Sequence, residues 1–128
     1  MPRAAVNGIH LYYEEVNAAP YWLPERPPVI FVHGLSSDHT IWAKQVPAFA
    51  QDRPVITVDV RGHGRSDKPE GNAYEIADHT ADLLGLVHHL GYSKVHIVGV
   101  SMGGMIAQQM ALRAPERLAG RARVAHGE

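Results

Sequence analysis

Val95-His96-Ile97-Val98-Gly99-Val100-Ser101-Met102-Gly103-Gly104 sets a serine between two glycines at the point where an apolar, β-branched run meets a helical pattern. This is the pattern of a nucleophile elbow. A residue turned sharply from strand into helix takes a strained backbone conformation and draws neighbouring chain very close. Gly99 and Gly103, at minus two and plus two, remove the side chains that would clash. The turn also sets Ser101 at a helix start, where unpaired backbone N–H groups and the positive end of the dipole face developing negative charge. Met102 N–H is therefore a candidate oxyanion donor. A serine flanked by glycines occurs by chance in many turns, so the surrounding sequence has to decide.

Two further segments decide it. Pro28-Val29-Ile30-Phe31-Val32-His33-Gly34-Leu35 is a buried-strand type of run that closes on His-Gly. Arg53-Pro54-Val55-Ile56-Thr57-Val58-Asp59-Val60 is another, followed by Arg61-Gly62-His63-Gly64-Arg65-Ser66-Asp67-Lys68-Pro69. Taken in order with the Ser101 segment, these resemble the α/β-hydrolase superfamily over roughly residues 6 to 119. Within it the chain looks most like the serine esterase and lactonase branch, which holds the 3-oxoadipate enol-lactonase-like hydrolases and the cofactor-free haloperoxidase-type esterases. Haloalkane dehalogenases and epoxide hydrolases have similar front halves but place aspartate at the elbow, so Ser101 argues against both.

Composition agrees with that class. The chain is 45% hydrophobic and 20% charged, ordinary for a soluble globular protein. Its 12 basic and 13 acidic side chains leave no electrostatic footprint for nucleic acid or an anionic membrane. The absence of cysteine excludes disulfides and thiolate metal sites and is compatible with a reducing cytoplasm. Met1-Pro2-Arg3-Ala4-Ala5-Val6 lacks the apolar core of a signal peptide, and no apolar stretch approaches membrane-spanning length, so the expected location is the cytoplasm.

Local patterns predict the elements. Asn7-Gly8 is a two-residue hairpin signal leading into an edge strand over Ile9 to Val16, and Asn17 to Pro27 reads as a surface connection. Thr40 to Ala50 carries Ile41, Trp42, Val46 and Phe49 at near-helical spacing, with Pro47 making any helix short or kinked. Glu75 to Leu90 is a helix with the stripe Ile76, Leu83, Leu84, Val87 and Leu90, stopped by Gly91. Met105 to Leu112 continues the elbow helix and Pro115 ends it. Strands alternating with helices imply a mostly parallel sheet behind an N-terminal antiparallel hairpin, with helices on both faces.

The resemblance implies a partial α/β-hydrolase fold in which the His33 strand lies between the Asp59 strand and the Ser101 strand. The loop after His33-Gly34 would then lie beside the elbow, and Leu35 N–H would join Met102 N–H as the second oxyanion donor. Each such donor is typically worth about 2.7–4 kcal/mol of transition-state stabilisation. Ser101 is the expected nucleophile toward a small ester or lactone, with Gly34, Ser36 and Trp42 as local substrate contacts. No cofactor, metal, nucleic acid or membrane partner is implied.

A triad needs an acid and then a histidine after the serine. Here Ser101 is followed only by Glu116 and Glu128 as acids and by His126 as histidine, which precedes Glu128 and lies in the terminal segment, so His126 is not expected to be the triad base. The expectation is a domain front half over 1–120, truncated after the elbow helix. Residues 121–128 form a disordered tail foreign to the fold, whose Arg121-Ala122-Arg123-Val124-Ala125-His126-Gly127-Glu128 cannot serve as a strand. Such a chain would be nearly inactive, or a non-catalytic binding remnant of the fold. It would also leave the Ser101 strand as an open apolar edge, a route to self-association.

The other histidines read as structural. His33 shapes its loop by satisfying backbone groups, and His63 closes the turn after the Asp59 strand with Arg61 and Asp67. His96 is buried and hydrogen-bonded; His79, His88 and His89 ride the long helix; His10 and His39 are exposed. Asp59 pairs with Arg61 to organise its loop. No metal-ligand spacing appears. Gly62-His63-Gly64-Arg65-Ser66-Asp67 has aspartate where a dinucleotide fingerprint needs its last glycine, which sets nucleotide binding aside.

Overall fold

The computed structural model describes residues 2–119 and, as backbone, 123–125. Its strands are β1 (Arg3–Val6), β2 (Ile9–Val16), β3 (Val29–Val32), β4 (Val55–Val58), β5 (His96–Val100) and β6 (Arg123–Ala125). Its helices are α1 (Gln45–Phe49), α2 (Ile76–Leu90) and α3 (Met102–Arg113), with short 3-10 turns at His39–Trp42 and Pro115–Arg117. The described strands form one sheet in the order β1-β2-β4-β3-β5-β6. β1, β2 and β4 pair antiparallel, while β4, β3, β5 and β6 run parallel to one another.

The hairpin turns at Asn7 and Gly8, both at positive φ (47° and 81°), the backbone that a two-residue turn between twisted strands requires. The expected placement of the His33 strand between the other two parallel strands is what the sheet order shows. β3 and β4 are buried on both faces, as continuous apolar runs in a parallel sheet must be. Ile30, Val32, Ile56 and Val58 face a core closed by Leu83, Leu86 and Val87 of α2 and Ile106 and Met110 of α3. Val29, Phe31 and Val55 face the other way, onto Trp42, Val46 and Ala50. Helical segments thus cover both faces.

Three expectations need correction. The Thr40 to Ala50 run splits into a 3-10 turn and α1, and Pro47 sits inside α1 without breaking it. As third residue of the helix, it occupies the first turn, where a backbone N–H has no partner four residues back to lose. On α2 the buried face is His79, Thr80, Asp82, Leu83, Leu86 and Val87, so the stripe read from sequence passed over Leu86 and the polar residues between its members.

The third correction concerns the tail. Residues Arg123–Ala125 do form a strand, in register Val98↔Arg123, Gly99↔Val124 and Val100↔Ala125. A ladder is made by backbone groups, so a polar sequence does not prevent it, and the chain is already aimed along β5. Val95 N–H donates to Arg117 O at 2.8 Å, and Ala119 N–H donates to Val95 O at 2.9 Å. β6 therefore covers the edge of the Ser101 strand that was expected to be open. His126 and the remaining tail positions lie outside the described residues.

Asp82 ties the sheet's antiparallel end to its parallel half. Its carboxylate is fully buried and accepts Arg61 Nε and Nη2 at 2.8 and 2.9 Å and Asn7 Nδ2 at 3.0 Å. The carboxylate beside it holds the Arg61 guanidinium above its ordinary pKa, against the opposing effect of burial. Removing one member of a buried pair leaves the other uncompensated. Asp82→Ala is expected to destabilise the fold by about 3–5 kcal/mol, read from the urea unfolding midpoint. A loss below about 1 kcal/mol would mean that Arg61 finds water instead.

Candidate active site at the β5–α3 turn

Ser101 is the hinge between β5 and α3, with φ 55° and ψ −118°. That positive φ is disfavoured for any residue with a side chain and is sustained by the backbone packed around it. The two flanking glycines are required by contact. A Cβ on Gly99 would lie 2.1 Å from Gly103 O, and one on Gly103 would lie 2.1 Å from Val32 O. The helix start thus rests directly on the last residues of β3. Ser101 O accepts from Gly104 and Met105 N–H, which starts the helical ladder behind the turn. The Ser101 hydroxyl makes no capping bond to its own helix, and the residue is exposed.

Gly34 is brought to the serine. A Cβ placed on it would meet Ser101 Cβ and Val100 O at 3.3 Å and Ser101 Oγ at 3.8 Å. Leu35 follows with its side chain 70% exposed, and Ser36 after it takes φ 63°. Met102, the first residue of α3, is buried. Trp42 packs on the second core. Its ring lies 4.7 Å from that of Phe31, within the second core, and its Nε1 is buried without a partner.

The loops at this end of the sheet are locked by polar side chains. His33 is fully buried; its Nδ1 stands 2.7 Å from Gly34 O, and its Nε2 accepts Val60 N–H at 3.1 Å. His63 Nδ1 faces Arg61 O at 3.1 Å and its Nε2 accepts Ser36 N–H, also at 3.1 Å. Both rings satisfy backbone groups of these loops. His63, however, reaches the Gly34–Ser36 loop, and the Asp67 side chain goes to His10 and Arg3. Asp59 is not the partner of Arg61. One of its oxygens receives His39 N–H and Nδ1 at 2.7 and 2.8 Å, and the other receives Arg65 N–H at 2.9 Å. His39, expected to be exposed, is clamped between Asp59 and Glu14.

Sequence reasoning missed the Asp82–Arg61 pair, the His39 clamp and the Ser36–His63 bond. Only the first left a signal: Asp82 falls within the apolar stripe of α2, and a carboxylate at such a position requires a cation. A cavity of about 570 Å³ lies at the amino ends of the parallel strands, between the 17–27 connection and residues 52–54 and 92–94, the end opposite Ser101. The long apolar helix needed to cross a membrane is absent among the described residues.

A mixed sheet with a serine at a strained strand-to-helix turn, and a glycine loop from the adjacent strand beside it, defines an α/β domain with a nucleophile-elbow turn. Residues 27–122 match the family model of the alpha/beta hydrolase fold, and the chain belongs to that family. It is 35% identical over 102 residues to 3-oxoadipate enol-lactonase 2 of Acinetobacter baylyi, covering 80% of this chain and 38% of that protein. Its structure is similar to the enol-lactonase of Burkholderia xenovorans LB400, with a TM-score of 0.82 at 35% identity over 91% of this chain and 44% of that one. It is also similar to an N-acyl homoserine lactone degrading enzyme, with a TM-score of 0.81 at 38% identity, covering 91% and 42%. The chain therefore spans about two fifths of the length of these relatives.

Burial pushes the imidazoles of His33 and His79 below their ordinary pKa, at His33 against the opposing bond to Gly34 O. The sign follows directly. The folded state binds fewer protons than the unfolded one as soon as pH falls below the unfolded value of about 6.5, so stability is full above that value and is lost on acidification. Each group contributes at most about 1.4 kcal/mol per pH unit. Urea midpoints are expected to be flat from pH 8 to 7 and to fall between pH 6.5 and 5.5. The carboxylates with lowered pKa, Asp38, Asp52 and Asp67, act only at more acid pH. Equal midpoints at pH 7.5 and 5.5 would contradict the neutral buried state.

Proposed function

We propose that the chain carries the nucleophile portion of a serine hydrolase of small carboxylic esters or lactones. The observation that carries this reading is Ser101 at φ 55°, its hydroxyl free of the helix it begins, with Gly34 packed against its Cβ. Ser101 Oγ attacks the carbonyl carbon; the Oγ–C bond forms as the carbonyl oxygen takes negative charge between Leu35 N–H and Met102 N–H. Collapse breaks the bond to the alkoxy oxygen, which takes up a proton and departs as the alcohol of an ester or stays tethered as the hydroxyl of an opened lactone, and water then opens the acyl-serine to the acid. Support for Leu35 comes from the peptide that carries its amide. With Gly34 O turned onto His33 Nδ1, the trans geometry turns Leu35 N–H away from that ring. Gly34 and Ser36 then line the acyl side, while the packing of Trp42 on Phe31 gives that ring a structural task instead.

The serine proton needs an acceptor, and His33 and His63 each have both ring nitrogens committed to backbone groups. This favours slow turnover for the 128-residue chain, since losing the base of a working triad costs about a millionfold. The test supplies an acceptor from solution. With p-nitrophenyl acetate and free imidazole, Ser101 is expected to acquire an acetyl ester found by peptide mass spectrometry, absent from Ser101→Ala, with p-nitrophenolate released and the proton passing to imidazole. A folded chain that stays unacetylated at Ser101 would defeat the acyl-transfer reading. Rapid turnover without imidazole that Ser101→Ala abolishes would defeat the claim of slow turnover.

A further inference from the structure

We propose that His63 is a positioning residue for this site: its neutral imidazole, acting through the Ser36 amide, holds the loop that aims Leu35 N–H. The inference rests on the reading of Leu35 as an oxyanion donor. The protonation state is fixed by the partners. A backbone amide can only donate, so the nitrogen that accepts Ser36 N–H carries no hydrogen. A backbone carbonyl can only accept, so the nitrogen facing Arg61 O carries one. One tautomer, hydrogen on Nδ1, satisfies both contacts, and the imidazolium does not. The same logic applied to Gly34 O and Val60 N–H gives His33 the same tautomer.

The two rings stand 5.1 Å apart and grip the peptide units on either side of Leu35. His33 holds the unit before it by the Gly34 carbonyl, and His63 holds the unit after it by the Ser36 amide. Leu35 needs such a grip because its side chain is 70% exposed and offers little packing to anchor it. Ser36 at φ 63° is in the left-handed region that residues other than glycine disfavour. Without an acceptor for its N–H the loop has reason to relax, carrying the Leu35 amide with it. His63 can act as a fixed post because its own turn is pinned: its N–H donates to Val60 O at 2.9 Å, and Arg65 N–H two residues on donates to Asp59.

The experiment compares His63→Phe, which deletes the acceptor, with His63→Gln, whose side-chain oxygen supplies an uncharged one. Two readouts are taken on the full chain: the amide resonances of Leu35 and Ser36 with the His63 ring nitrogens by NMR, and the imidazole-assisted acetylation of Ser101 by p-nitrophenyl acetate as a function of ester concentration. The wild-type ring is expected as the Nδ1–H tautomer. His63→Phe should shift both amides and lower the maximal acetylation rate about a hundredfold, the scale of one lost oxyanion donor, with little change in the ester concentration giving half that rate. His63→Gln should restore most of both. An Nε2–H tautomer, amides unmoved in His63→Phe, a wild-type acetylation rate in that variant, or a glutamine variant as impaired as phenylalanine would each overturn the proposal. If the wild-type chain is never acetylated, the acyl-transfer reading fails by itself and the NMR comparison alone judges His63. If His63→Phe does not fold, the wild-type tautomer and the glutamine variant judge it.

Discussion

The direct seating of one backbone on another, α3 on the carboxyl end of β3, is the contact from which the site's geometry follows. At Gly103 the helix comes so close that even a methyl group would collide with Val32 O, and at Gly99 the strand leaves equally little space below the turn. Backbone contact of this kind is stiff, because no rotamer can absorb an error. It fixes the height at which α3 begins, and with it the place of Ser101 between strand and helix. It also brings the end of β3 under the serine, so that the residues continuing from that strand, His33 and Gly34, have to pass beside it.

That constraint explains which parts of the architecture could be read from residues alone. β3 and β4 were legible because strands buried on both faces must be runs of Val, Ile and Phe, and β5 with the turn at Ser101 was legible because a backbone seated that closely admits only glycine. The hairpin at Asn7-Gly8 and the end of α2 at Gly91 follow from positive φ in the same way. β6 was not legible, because what creates it is position: the bonds between Val95 and residues 117 and 119 lay the chain alongside β5, where unpaired backbone groups wait. Side-chain pattern carries no trace of such a strand.

The site divides along the same line. Ser101, Gly34, Leu35 and Met102 are set by backbone path, and spacing in the sequence reports that path. The partners of the charged and aromatic residues are set by three-dimensional packing. Asp59 and Arg61 stand two apart in sequence and suggested a pair, yet one carboxylate turns to His39 and Arg65 while the guanidinium crosses to Asp82 on α2. A bidentate contact with a fully buried carboxylate fixes Arg61 far better than a partner on its own loop would, since two nitrogens along one guanidinium edge are engaged at once and both side chains are buried. Trp42, a candidate substrate contact by its sequence neighbourhood, packs its half-buried ring on Phe31 against the sheet, a contact that sequence spacing did not report.

A physical division of labour among the histidines follows. His33 and His63 spend both nitrogens on backbone groups, and His39 lies between two carboxylates. Neither His33 nor His63 can take a proton on the nitrogen that accepts a backbone N–H without giving up a bond that shapes its loop. A base must have one nitrogen unprotonated and open toward the nucleophile. The loops around Ser101 are therefore rigid because their histidines are occupied, and for the same reason those histidines are unsuited to the proton transfer. Under the proposed acyl-transfer reading, preorganisation of the oxyanion side and activation of the nucleophile make opposite demands on an imidazole, and the ring nitrogens of His33 and His63 are placed to answer only the first.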